Sequence, residues 1–150
     1  VEGTRSRVRI TVEAEVRPTE DREKVLKAVR NVVEPESVRF EKIGSTEILV
    51  GESSTLASLS RLHSILRAER ILDAARGAMK KGVQGADRMT IHLHKQAAYK
   101  GRLSFVSSDH ESPMGAIRIT IEHPNVREVI DWLAPPTVRG RPVFERRMPE

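Results

Sequence analysis

Cysteine is absent from all 150 residues. That excludes disulfides, thiolate metal sites and thiol nucleophiles together, and leaves His and carboxylates as the ligands for any metal. Aromatic residues are nearly as scarce, at 3%, comprising Phe40, Tyr99, Phe105, Trp132 and Phe144. A stacking platform for single-stranded nucleic acid needs several exposed rings on one sheet face, so recognition of that kind is disfavoured. No apolar run approaches the roughly 20 residues of a bilayer span, and the basic opening lacks the apolar stretch of a secretory signal. The expectation is a cytoplasmic protein with no membrane partner.

Hydrophobic residues make up 38% and charged residues 31%, the balance of a folded domain rather than a disordered chain. A domain of this length buries roughly 68–70% of the surface its unfolded chain exposes, enough for a core of its own. Lys and Arg total 26 against 21 Asp and Glu, a net charge of +5. Such an excess favours polyanionic partners through long-range attraction.

Residues 7–17 alternate, with Val8, Ile10, Val12, Ala14 and Val16 on one side and Arg9, Thr11, Glu13 and Glu15 on the other. This is the period of a strand with one wet face. Pro18 stops it, Thr19 is placed to cap a helix, and Glu20 and Asp21 suit the helix dipole. The helix should run to about Val33, burying Val25, Val29 and Val32, with Pro35 ending it. Residues 37–43 and 47–52 read as a hairpin joined at Gly44-Ser45. Leu59, Leu62, Ile65, Leu66, Leu72, Ala75 and Met79 recur at helical spacing, predicting one long helix from about 56 to 80 that ends at Gly82 and Gly85.

Residues 88–94, 103–106 and 116–122 are expected strands. Asn125 is placed to cap a short helix through Trp132 and Leu133, which Pro135-Pro136 stops. Clustered strands without a regular βαβ alternation indicate an α+β fold of two layers. Its antiparallel or mixed sheet would carry helices on one face. The open face would hold Arg9, Glu13, Arg88, Thr90, His92, His94, Arg102, Arg118 and Thr120, a polar and mostly basic set. Residues 1–136 make the single domain, and 137–150, with Arg139, Arg141, Arg146 and Arg147, an Arg-rich flexible tail.

Five ordered motifs add a family likeness. They are Glu15-Val16-Arg17-Pro18-Thr19-Glu20-Asp21, Arg70-Ile71-Leu72-Asp73-Ala74-Ala75-Arg76, His94-Lys95-Gln96-Ala97-Ala98, Glu111-Ser112-Pro113-Met114-Gly115-Ala116-Ile117 and Asp131-Trp132-Leu133-Ala134-Pro135. Together they resemble the uncharacterised archaeal protein family two-zero-one across nearly the whole chain. The resemblance implies a fold similar to large-subunit ribosomal protein five, and RNA binding by analogy with it. It brings no catalytic residue and no cofactor.

Candidate sites follow from local chemistry. Lys95 and Gln96, with Lys100 and Arg102 close behind, set cations and an amide beside small residues and a turn, where they could meet phosphate or a base edge. Arg67 and Arg70, with Arg61, Arg76, Lys80 and Lys81, decorate the long helix, and Arg88 opens a strand. His92 and His94, two apart on a strand, could share a metal with Asp109 or His110. A solvated His pair accounts for them more simply, so no metal is assigned. The polar loop 107–115 reads as a turn rather than a triad, because sequence neighbours seldom reach nucleophile-base geometry.

The leading expectation is a non-catalytic protein that binds structured RNA, ribosomal RNA included, through backbone phosphates. The alternatives are a hydrolase or metal enzyme built on His92, His94, Asp109 and His110, and a domain that self-associates, as a homodimer, through a sheet edge or helix face.

Overall fold

β-Branched residues at alternate positions hold the chain extended, and the first such stretch becomes the central strand of the molecule. The structure, a computed structural model, describes residues 8–107 and 115–149. In chain order it contains β1 (Arg9–Val16), α1 (Arg22–Val32), β2 (Ser37–Ile43) and β3 (Thr46–Ser53), then a 3₁₀ turn (Leu56–Leu59), α2 (Ser60–Ala68) and α3 (Leu72–Lys81). Next come β4 (Val83–Gln84), β5 (Arg88–His94), the one-turn helix α4 (Lys95–Tyr99), β6 (Phe105–Val106) and β7 (Ala116–Glu122). The chain continues through α5 (Val126–Leu133) to a small hairpin of β8 (Thr137–Val138) and β9 (Arg141–Pro142).

The main sheet runs β2-β3-β1-β7-β5-β4, with β6 also on β5. Each of its pairings is antiparallel, so of the two sheet types expected within the α+β class the antiparallel one is found. Cross-strand partners share a face, and the register therefore stacks apolar side chains in rows. Leu93, Ile117, Ala14, Leu49 and Phe40 form one row, and Ile91, Ile119, Val12 and Val38 the next. Ile10, Ile91 and Ile119 are buried, each worth about 1.5–3 kcal/mol in burial. The helices contribute the other layer through Val25, Val29 and Val32, Leu62 and Leu66, Ala75 and Met79, and Val129 and Leu133.

The single long helix expected between 56 and 80 is broken. Arg70 takes a left-handed φ of 56°. The Ile71 N–H donates to the Leu66 carbonyl at 3.1 Å and the Arg70 N–H to that of Arg67 at 3.1 Å. This is the hydrogen-bond pattern of a helix stop with a left-handed residue after the last turn. Arginine there costs about 1–2 kcal/mol relative to an unstrained residue. Unbroken continuation from Leu66 would turn Glu69, Arg70 and Asp73 toward the core. The break re-phases the chain so that Leu72, Ala75 and Met79 are buried instead.

Further expectations change: at the start of α5 the Asn125 side chain makes no cap hydrogen bond and its amide donates to Glu128 at 3.4 Å. Asp21, not Thr19, caps α1, its carboxylate accepting from the Glu23 N–H at 2.9 Å. The first part of the segment expected as a flexible tail, 137–142, forms the β8–β9 hairpin, and the Thr137 hydroxyl donates to Asp73 on α3. Gly44, at φ 66°, supplies the first position of the two-residue turn between β2 and β3, as the sequence indicated.

Gly82 ends α3 where it crosses β5, and a Cβ there would lie 1.9 Å from the Thr90 carbonyl oxygen. Gly77, in the middle of the same helix, has nothing within 4 Å of a Cβ. The two positions should therefore answer the same substitution with opposite sign. Gly82→Ala should destabilise by about 2–4 kcal/mol, and Gly77→Ala should stabilise by about 0.5–1 kcal/mol. Guanidinium unfolding of both variants checks this.

Candidate nucleic-acid interface

The open face of the sheet carries Arg9, Arg88 and Arg118 as expected, whereas Arg102 lies in the loop between α4 and β6, and alternation on neighbouring strands sets a carboxylate near each of the three. Arg118 reaches Glu13 at 3.3 Å, Arg9 reaches Glu52 at 3.6 Å, Arg88 reaches Glu122 at 3.8 Å and Arg39 reaches Glu52 at 3.2 Å. The expectation of a mostly basic face is corrected, because cross-strand spacing turns its cations into pairs. Arg88 is one of them and offers a phosphate little uncompensated charge.

Lys95 departs furthest from its expected place. The strand β5 ends at His94, whose Nδ1 accepts from the Ala97 N–H at 3.2 Å and so caps α4. That turn directs Lys95 inward, where only 2% of the residue is exposed. Its ammonium donates to the Glu15 carbonyl at 2.7 Å and to Glu20 at 2.9 and 3.2 Å. Glu20 also accepts from the Arg17 N–H at 2.9 Å. Lys95 thus ties α4 to the β1–α1 connection and leaves the phosphate-contacting set, since a buried ammonium persists only when fully partnered.

Arg67 is likewise committed. It donates to the carbonyls of His63, Trp132 and Leu133 and forms an ion pair with Glu145 at 2.6 Å, fastening α2 to α5 and to the segment after β9. His63 stacks on Trp132 with centroids 5.1 Å apart. Burial, with the neighbouring Arg67 cation, depresses the His63 pKa against an opposing pull from Glu145, whose own pKa is lowered chiefly by the hydrogen bond from Arg67. Arg76 meets Asp131 at 2.9 Å.

Gln96, Lys100, Arg102 and Arg70 remain exposed. The Asn31 amide donates to the carbonyls of Ala98 and Tyr99 at 2.9 and 3.1 Å, clamping α1 along α4. On the same side of α1, Lys27 lies over the Tyr99 ring at 5.0 Å, and Lys24 lines a shallow groove with Gln96 and Tyr99. Glu69 accepts from the Leu103 N–H at 3.4 Å, which draws the end of α2, and Arg70 with it, to the loop bearing Arg102. Among the described residues no carboxylate forms an ion pair with Lys24, Lys27, Lys100 or Arg102. Lys24 and Lys27 were not singled out from sequence. Their signal was the i, i+3 spacing opposite Val25, Val29 and Val32, which is also the pattern of any solvated helix face.

The proposed histidine cluster is not gathered by the described residues. His94 serves as a cap, His92 pairs in register with Arg118 on β7, and Asp109 and His110 lie outside the described residues. No group of three His, Asp or Glu able to hold a metal occurs among the described residues. No helix among them is long and apolar enough to cross a membrane.

Removing one partner of a buried, hydrogen-bonded ion pair is costly, so Lys95→Ala should lose about 3–5 kcal/mol of stability, against no more than about 0.5 kcal/mol for Lys100→Ala. Urea unfolding compares them. The depressed His63 makes the unfolded chain the better proton acceptor. Stability should therefore fall as pH drops through the ordinary histidine value of 6.5 towards the lower folded value. The depressed Glu145 adds a second loss further into acid, below the ordinary 4.5 and through its folded value. Melting curves between about pH 5 and 7 should show the first slope, and His63→Phe, which keeps a ring on Trp132, should flatten it.

A family model described as RNA binding matches residues 9–123 of this chain. A UPF0201 protein of Aeropyrum pernix is 99% identical over 150 residues, covering 100% of both chains. One from Metallosphaera sedula is 51% identical over 142 residues, 95% of this chain and 98% of its own. The crystal structure of a UPF0201 protein from Methanococcus jannaschii superposes with a TM-score of 0.80 at 31% identity, covering 91% of this chain and 99% of that one. With the model spanning β1 to the end of β7 and relatives aligned almost end to end, this chain belongs to the UPF0201 family, matched by the model described as RNA binding.

Proposed function

We propose that this protein binds structured RNA without catalysis, and that it does so from its helical layer through backbone phosphates. One observation carries the reading. Arginines of the open sheet face are neutralised by cross-strand carboxylates, whereas Lys24, Lys27, Lys100 and Arg102 beside α1 and α4 have no such partner among the described residues. Cations left unpaired on one side create the positive potential that draws a polyanion. Gln96, exposed between them, offers both a donor and an acceptor to a sugar hydroxyl or a base edge. Arg70, beside Arg102, extends the same surface.

The family description supports RNA as the polyanion. The scarcity of exposed rings supports phosphate contacts over base stacking, and phosphate contacts favour folded RNA, whose backbone has a fixed shape. Ribosomal RNA is the natural first substrate to try, given the ribosomal-protein likeness that the family resemblance implies.

Binding of a folded RNA hairpin, followed by gel shift at several salt concentrations, tests the proposal. Log affinity should fall linearly with log salt, and each of Lys27→Ala, Lys100→Ala and Arg102→Ala should flatten the slope by about 0.7–0.9 per lost phosphate contact. Arg88→Ala and Arg118→Ala should leave it unchanged. Binding indifferent to salt, or a slope altered by the sheet-face variants alone, would overturn this reading.

A further inference from the structure

A second feature, along the outer side of β5, invites a ligand. Strand β5 is longer than either neighbour on its outer side, where β4 pairs with Arg88 and Met89 and β6 with His92 and Leu93. Between them, at Thr90, the Gly82 carbonyl accepts from the strand's N–H at 3.0 Å. Helix α3 passes over this interval presenting Ala74, Gly77 and Ala78, which are too small to fill it. The result is a groove of about 640 Å³, within the roughly 300–1,000 Å³ of ligand pockets.

Its lining is graded. Phe105 and Ile91 are apolar, Gln84 and His92 are polar, and the two ends of the α3 side are Asp73 and Lys81. Those two stand eight positions apart on the helix, about 12 Å along the axis. One end thus repels anions and accepts hydrogen bonds, and the other attracts anions. The Thr137 hydroxyl already donates to one Asp73 oxygen, which orients the carboxylate and leaves the second oxygen free to accept. Gly77 sharpens the point. A mid-helix glycine costs about 1 kcal/mol relative to alanine, and nothing within 4 Å of its absent Cβ requires it. Its consequence is a groove with a bare floor.

We propose that this groove takes a single nucleotide unit, with the base against Phe105 and the small face of α3 and the phosphate beside Lys81. An exocyclic amine donating to Asp73 gives preference to adenine, guanine or cytosine over uracil, which has none. The proposal rests on the RNA-binding reading for its source of nucleotides and adds base selection to it. The same chemistry would accept a free nucleoside monophosphate.

The test uses the full chain and two RNA hairpins identical except for adenine or uracil in the loop, with adenosine monophosphate as a separate probe. The adenine loop should bind about tenfold more tightly. Gly77→Met, which fills the groove from a position with open space, should abolish that preference while leaving the salt slope intact. Asp73→Asn should reduce the preference without filling anything, and thermal melts confirm that both variants fold. Equal affinity of the wild type for the two loops, or a preference that survives Gly77→Met, overturns the groove as a base site even if salt-dependent RNA binding persists. No binding of either hairpin removes the RNA reading instead. In that case, adenosine monophosphate binding that Gly77→Met abolishes supports the groove as a site for a free nucleotide, and no binding of the monophosphate overturns it too.

Discussion

The structure depends on the register of one antiparallel sheet that buries a single face. Side chains alternate along a strand, so a slip of one residue would send Val12, Ile119 and Ile91 into solvent and bring Glu13, Arg118 and His92 into the core. That penalty holds β1 between β3 and β7. It also confines the helices to one side, because one side alone offers apolar rows to cover. The separation of an open, charged face from a helical layer follows from that one constraint.

The distribution of charge is a consequence of the same geometry. Strands a fixed distance apart bring opposite charges into pairs such as Arg118 with Glu13 and Arg88 with Glu122. Each exposed pair is worth little, roughly 0–1 kcal/mol, yet together they quench the potential over that face. On the helical layer Arg61, Arg67 and Arg76 are paired as well, but Lys24 and Lys100 form no ion pair among the described residues.

How much could be read beforehand differs from residue to residue. The β2–β3 hairpin was legible from Gly44, the strands from their alternation, and α1 from Val25, Val29 and Val32. The break between α2 and α3 was also written in the sequence, as Glu69 and Arg70 at the positions three and four after Leu66 where a continuing helix needs apolar residues, although a count of helical spacings alone passes over it. The candidate site was legible in part. Gln96, Lys100 and Arg102 are exposed as their chemistry requires, but nothing near Lys95 in sequence marks it as buried.

By itself the sequence determined what backbone geometry and side-chain size decide over a few residues: strands, helices, turns, the α+β class, and the exclusion of thiol chemistry. Tertiary structure alone decided which distant groups meet. Lys95 finds Glu20 across 75 residues and Arg67 finds Glu145 across 78, and those meetings remove two cations from the surface that composition had assigned to it. The groove beside α3 exists only because β4 and β6 leave part of β5 uncovered next to a helix of small residues. Periodicity is a short-range property of the chain, whereas partners and cavities arise from packing, where burial selects among arrangements that local geometry leaves equal.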